Sequence, residues 1–220
     1  PVIAGTGSNS TDEAISLTQF AKKTGADGAL MVTPYYNRPT QEGLYRHYEK
    51  VARKVNIPIV LYNVPTRTGV TLLPETVARL SKIKNIVGIK EATGNMDQAS
   101  HILSLCELTV LSGDDSLTLP LMALGAKGVI SVIANIVPQA VSEMVDAYAA
   151  GNFERARELH YRTFPLCRAL FIETNPIPIK KAMGLLGLCR EELRLPLCEM
   201  SEANEKILLK AMKDYGLSLK

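Results

Sequence analysis

Asn85-Ile86-Val87-Gly88-Ile89-Lys90-Glu91-Ala92-Thr93-Gly94-Asn95 decides how the rest of the chain reads. Ile86 to Ile89 is a short apolar run of the length a buried strand uses. It ends in Lys90, and Thr93-Gly94-Asn95 supplies turn-formers ahead of a helix. An amine held at the mouth of an apolar pocket loses hydration that favours its charge, so its pKa falls. A neutral amine attacks a carbonyl and forms a Schiff base. Alone, the stretch reads first as an ordinary lysine snorkelling from a strand end; its surroundings decide between the two readings.

Upstream, Val2-Ile3-Ala4 runs into the glycine turn Gly5-Thr6-Gly7, and Ser10-Thr11-Asp12-Glu13 fits a capping box with Ser10 as the cap. Ala14, Leu17 and Ala21 then form the apolar face of a helix ending near Gly25. Ala29 to Thr33 is a strand stopped by Pro34, and Leu44, Tyr48, Val51, Ala52 and Val55 fall on one helical stripe. Pro58 to Val64 is the strand before the central one, and Pro74 suits the first turn of a helix carrying Val77, Leu80 and Ile83. Downstream, a helix with Ile102 and Leu105 leads to the strand Thr109-Val110-Leu111 and the turn Ser112-Gly113-Asp114-Asp115. A helix with Leu121 and Leu124 leads to a strand over Gly128–Ile133, and the helix opening at Pro138 carries Val141, Met144, Val145 and Tyr148.

Strands that are apolar almost throughout, each followed by a helix, are the mark of a parallel sheet buried on both faces. Six such β/α units are legible. An open doubly wound sheet accommodates six, but it wants G-x-G-x-x-G after its first strand, and Gly5-Thr6-Gly7-Ser8-Asn9-Ser10 lacks the last glycine. Tyr35-Tyr36, Asn63, Arg67, Lys90-Glu91 and Asp114-Asp115 gather just after strand C-termini, where barrel enzymes keep their chemistry. The expected fold is therefore α/β: a (β/α)8 TIM barrel, six of its eight units present, with a C-terminal helical appendage. Residues 1–151 are expected to form the partial barrel, and 152–220 the appendage, with helices over 152–172, 176–187 and 201–215.

Composition narrows the function classes. With 46% hydrophobic and 21% charged residues and a net charge of +3, the chain has ordinary globular composition, without a basic stripe for nucleic acid or a polybasic membrane patch. No apolar run approaches the roughly 20 residues of a membrane span. Cys106, Cys167, Cys189 and Cys198 lack metal-ligand spacing and read as reduced thiols of a cytoplasmic protein. The three histidines lie far apart, so no metal site is expected.

Several strand-end residues admit a chemical and a plain reading. Tyr62 points either into the core or toward the mouth; a phenol there passes protons to and from a neighbouring imine. Arg67 forks onto a carboxylate or stands solvated in its loop. Tyr35 and Tyr36 read as interface or packing residues, and Asp114-Asp115 as a cap for the next helix. His101 sits on a plain amphipathic helix.

Tyr62-Asn63-Val64-Pro65-Thr66-Arg67-Thr68-Gly69, Gly88-Ile89-Lys90-Glu91-Ala92-Thr93-Gly94-Asn95, Ser112-Gly113-Asp114-Asp115, Pro34-Tyr35-Tyr36-Asn37-Arg38-Pro39 and Asn175-Pro176-Ile177-Pro178-Ile179-Lys180 together resemble the class I pyruvate aldolases and lyases of the dihydrodipicolinate synthase/N-acetylneuraminate lyase family. The resemblance spans essentially the whole chain. It implies a lyase that condenses pyruvate with aspartate semialdehyde on the path to lysine, through a covalent imine on Lys90 and without a separate cofactor. It further implies that Tyr62 and Tyr36 relay protons, Tyr36 across a dimer interface, and that Arg67 holds the semialdehyde carboxylate. Gly113 and Ile130 match positions lining the pyruvate pocket, and Asn9, Glu13 and Tyr35 match part of a site for lysine as feedback inhibitor. A homo-oligomer, a dimer of dimers, is the implied assembly.

One departure is large. The family's first two β/α units, with the Gly-x-x-Gly-Glu loop that binds the pyruvate carboxylate, have no counterpart in these 220 residues. The expectation is that this stretch by itself lacks turnover and tends to aggregate. The alternatives are a relative acting on another electrophile, against which Arg67 and Tyr36-Asn37-Arg38 stand, and a non-catalytic lysine-binding homologue.

Overall fold

β1 (Ile3–Gly5), β2 (Gly28–Val32), β3 (Ile59–Asn63), β4 (Ile86–Glu91) and β5 (Thr109–Ser112) lie side by side in chain order, and every neighbouring pair is parallel. The computed structural model describes residues 1–219. Between the strands run α1 (Thr11–Lys23), α2 (Gln41–Lys54), α4 (Pro74–Leu80), preceded by the short α3 (Pro65–Thr68), and α5 (Met96–Leu105). After β5 come α6 (Thr118–Leu124), α7 (Pro138–Ala149), α8 (Phe153–Leu170), α9 (Ile177–Leu185) and α10 (Glu202–Tyr215). The chain clusters into two compact units, Pro1–Asp114 with Pro120–Ile130, and Asp115–Leu119 with Ser131–Lys220.

Strand alternation sorts the first unit's side chains onto two faces. Ala29, Met31, Ile59, Leu61 and Ile89 share the face that the helices cover, and none has more than a trace of exposed surface. Burying a side chain of the larger kind contributes about 1.5–3 kcal/mol, so this layer holds strands to helices. The opposite face carries Val32, Tyr62, Lys90 and Leu111 as successive register partners, all half-buried. One irregularity interrupts the ladder. Ile59 pairs with Ile86, but Val60 pairs with Gly88, so Val87 is an extra residue, a β-bulge, with 43% of its surface exposed.

Local sequence signals account for most element ends. Ser10 caps α1 by accepting from the Glu13 amide, Thr40 caps α2, Asn95 caps α5 and Ser201 caps α10. Pro74 and Pro138 occupy the first turns of α4 and α7. In the second unit α8 packs against both α7 and α10, and α10 against α9. The three expected terminal helices are α8, α9 and α10.

Some expectations need correction. Leu17, Leu105 and Leu124 are exposed rather than core. In α1 the buried line is Ala14, Thr18 and Ala21, and Thr18 fits because its hydroxyl donates to the Ala14 carbonyl at 2.6 Å and is left to accept from the Thr6 hydroxyl at 3.0 Å. The capping box is half formed: Glu13 accepts from Ser8 Oγ at 2.7 Å, and the Ser10 amide donates to Ser8 Oγ instead. The sixth strand shrinks to one bridge, Ser112 with Val129. Beyond it Asp115 Oδ2 accepts from the Val132 and Ile133 amides at 2.8 and 3.1 Å, which turns the backbone into a 3-10 turn over Ile133–Asn135. Asp115 therefore stabilises a turn that comes much later in the chain.

Candidate active site

The C-terminal ends of β3, β4 and β5 bring three of the expected residues together. Tyr62 and Lys90 are direct register partners. The Lys90 nitrogen stands 4.3 Å from the centre of the Tyr62 ring, over its face. A cation there is attracted by the ring's electron-rich face. Gly113 borders the same lysine: a Cβ at this position would lie 2.6 Å from the Ala92 Cβ and 3.0 Å from the Lys90 Cε. Only a residue without a side chain lets Lys90 and Ala92 pack as they do.

Arg67 sits in α3, immediately after β3, and is exposed. Burial pushes the Tyr62 phenol above its ordinary pKa, and the Arg67 charge pulls it part of the way back. The phenol consequently stays protonated at neutral pH. Ile130 is half-buried, its amide donating to the Ser112 carbonyl at 2.9 Å beside Gly113.

Tyr36 stands apart from that group. It has a φ of 72°, unusual for a residue with a side chain, and it is 89% exposed. Arg38 has a φ of 46° and donates from Nε to the Gly69 carbonyl at 2.9 Å. The loop is thus stitched to the segment that carries Arg67. On its other side Asn37 donates to the Asn9 carbonyl at 3.0 Å. Asn9 and Tyr35 therefore lie on adjoining segments, and Glu13 follows in the first turn of α1.

Other residues of this region carried no role in the sequence reading. Asn63 and Glu91, one register step beyond Tyr62 and Lys90, are buried and hydrogen-bonded to each other at 3.1 Å. Gln41 of α2 accepts from the Leu73 amide and from Thr76 Oγ1, and donates to the Thr71 carbonyl at 2.8 Å. The Thr33 hydroxyl donates to Thr68 Oγ1 at 3.1 Å. The partners in these bonds lie 28 to 35 residues apart, so no linear pattern shows that they meet. All four cysteines are in the thiol form, outside any disulfide. Among the described residues no cluster of His, Cys, Asp or Glu is arranged for a metal ion, and no helix is long and apolar enough to cross a membrane.

A family model, the dihydrodipicolinate synthetase family, matches residues 1–215. A protein of Geobacter sulfurreducens named 4-hydroxy-tetrahydrodipicolinate synthase is 63% identical over 219 residues, which is 99% of this chain and 76% of that one. The crystal structure of dihydrodipicolinate synthase from Aquifex aeolicus superposes with a TM-score of 0.97 at 57% identity, covering 100% of this chain and 76% of that one. The chloride-inhibited dihydrodipicolinate synthase of Acinetobacter baumannii, solved in complex with pyruvate, gives a TM-score of 0.97 at 49% identity over 99% of this chain and 76% of that one.

Proposed function

The chain belongs to the dihydrodipicolinate synthetase family, and from that premise we propose that its site condenses pyruvate with L-aspartate 4-semialdehyde to 4-hydroxy-tetrahydrodipicolinate. Its fold is α/β, the parallel strands and helices of a TIM barrel with a C-terminal set of helices. The placement of Lys90 against the face of Tyr62 carries the mechanistic reading.

The neutral Lys90 amine attacks the keto carbon of pyruvate; loss of water leaves an imine. A proton lost from the adjacent methyl group gives an enamine, whose carbon bonds to the aldehyde carbon of the second substrate. Attack of that substrate's amine on the imine carbon closes the ring, breaks the bond to Lys90 and returns the free lysine. Each step moves a proton next to the lysine nitrogen, and the protonated Tyr62 phenol is a donor of suitable kind there. The ring face beneath the nitrogen favours the cationic iminium.

Arg67 offers a planar donor fork for the semialdehyde carboxylate. Its charge already acts on Tyr62, which supports its place at the site's edge. Tyr36, exposed and held in strained backbone on its own chain, suits a side chain that completes the site of a second copy in a homo-oligomer. Asn9, Glu13 and Tyr35 form a candidate lysine-binding region, joined to the Tyr36 loop through Asn37.

Borohydride reduction in the presence of pyruvate tests the reading in the protein as the cell makes it. One reduced pyruvyl adduct is expected, on Lys90 and absent from Lys90→Ala. An adduct on another lysine would overturn the assignment. Turnover with N-acetylneuraminate in place of the condensation would point to the other branch of the family.

A further inference from the structure

β3 and β4 end together, and at that end a side-chain bond follows the backbone ladder. Tyr62 pairs with Lys90 on one face; one step further Asn63 pairs with Glu91 on the opposite face, beneath the helices. Asn63 is 0% and Glu91 2% exposed. Asn63 uses its whole amide. Nδ2 donates to Glu91 Oε2 at 3.1 Å and to the Leu72 carbonyl at 3.1 Å, while Oδ1 accepts from the Leu72 amide at 3.0 Å. Glu91 Oε1 accepts from the Thr93 amide at 2.8 Å. The Leu72 carbonyl takes a second bond, from Gln98 Nε2 of α5 at 2.8 Å.

Leu72 is buried and closes the segment that opens at Val64 and includes Arg67. One Asn63 side chain thus joins the foot of the Arg67 segment to the strand that ends in Lys90-Glu91. Both Glu91 oxygens meet donors, so a glutamine there would turn an N–H toward another N–H. A buried polar group left without its partner is far costlier than the bond it replaced.

We propose that Asn63 and Glu91 are positioning residues for the Lys90 reaction: their buried bond sets the spacing of Tyr62 against Lys90 and fixes the foot of the Arg67 segment. This rests on the imine chemistry proposed above. Neither side chain needs to touch a substrate. The pair acts through Lys90 and Tyr62 on one side and through Leu72 on the other.

Reversing the polarity of the bond separates positioning from mere burial. Asn63→Asp removes the donor that Glu91 accepts, and Glu91→Gln sets donor against donor. The double variant N63D/E91Q restores the bond with the glutamine donating to the aspartate, while Leu72 keeps the Gln98 bond. In the protein as the cell makes it, each single variant is expected to slow pyruvate–borohydride adduct formation at Lys90 and to raise KM for the semialdehyde, each about tenfold. Amide exchange over residues 64–72 should speed up in both singles. The double variant should return all three readouts to within about threefold of the parent. Should the singles fail to fold, a folded double variant with these recovered readouts supports the pairing, and a double that fails to fold or recover overturns it. Singles that fold and keep parental exchange and parental adduct rates also overturn it. Failure of the imine reading itself is distinct: the parent protein would then form no adduct at all, while amide exchange in the variants still decides whether the pair holds the segment.

Discussion

Tyr62 and Lys90 face one another as register partners, with the lysine nitrogen 4.3 Å from the ring centre. The contact has two separable parts, a ring face and a hydroxyl. Tyr62→Phe keeps the face and deletes the proton carrier. Its turnover is expected to fall by about 10²–10⁴-fold, as for lost acid–base assistance, with the final yield of adduct at Lys90 preserved. Tyr62→Leu should lower that yield as well. Equal turnover of parent and Tyr62→Phe would remove the phenol from the mechanism.

Arg67 is expected to act on one substrate. A charge-assisted bond to a carboxylate contributes about 1.5–3 kcal/mol, or roughly one to two orders of magnitude in affinity. Arg67→Ala should therefore raise KM for the semialdehyde by that factor and leave pyruvate trapping largely intact. Steady-state kinetics with each substrate varied in turn checks this; matched losses for both would mark Arg67 as structural.

Tyr36 should be complemented across copies of the chain. Mixed oligomers of Tyr36→Phe and Lys90→Ala subunits place an intact Tyr36 opposite an intact Lys90 in some sites. Activity above the average of the two parents is expected after exchange. Activity equal to that average would mean that Tyr36 serves the site of its own chain.

His47 predicts how stability depends on pH. The residue is 5% exposed, its Nδ1 pairs with Thr11 Oγ1 at 2.9 Å, and its Nε2 has no partner among the described residues. Burial lowers its pKa from 6.5 to about 4. Between those values the unfolded chain binds a proton that the folded protein refuses. Stability thus falls as pH drops from 6.5 toward 4, by about 3 kcal/mol in all from this group. Urea unfolding at pH 7 and pH 4 should show a smaller loss for His47→Gln than for the parent. Identical losses would show that the imidazole does not set the slope.

Strand identity was legible because continuous apolar runs such as Ile59–Leu61 have one common explanation, a sheet covered on both faces. Proline and cap residues placed the helix starts for the same local reason. What failed was geometric. Leu17 and Leu105 satisfied an i, i+3 pattern yet sit beside the buried line, since hydrophobicity does not say how wide the covered stripe is. The residues after Ile130 looked like a strand until Asp115, seventeen positions before Val132, took the backbone donors. At the site, Lys90 and Tyr62 were legible as residues of suitable chemistry at strand ends. Asn63 and Glu91 were legible only as polar residues at strand ends; their pairing was not, because each one's partner lies 28 residues away.

Val87 shows how a strand carries a surplus residue without turning its site away. Side chains on a strand alternate, so one added position exchanges odd for even. Ile86 lies on the helix-facing side by its pairing with Ile59, and four uninterrupted steps would return Lys90 to that side as well. The bulge absorbs Val87, which leaves three ladder steps and turns Lys90 toward Tyr62. Excision of Val87 leaves those three steps intact, so both excision and Val87→Ala are expected to preserve the lysine's aim, whereas one residue added between Gly88 and Lys90 should send the amine under the helices. A pyruvyl adduct kept on excision of Val87 and lost on that insertion is the expected result; loss of the adduct on excision would show that the ladder counts Val87 after all.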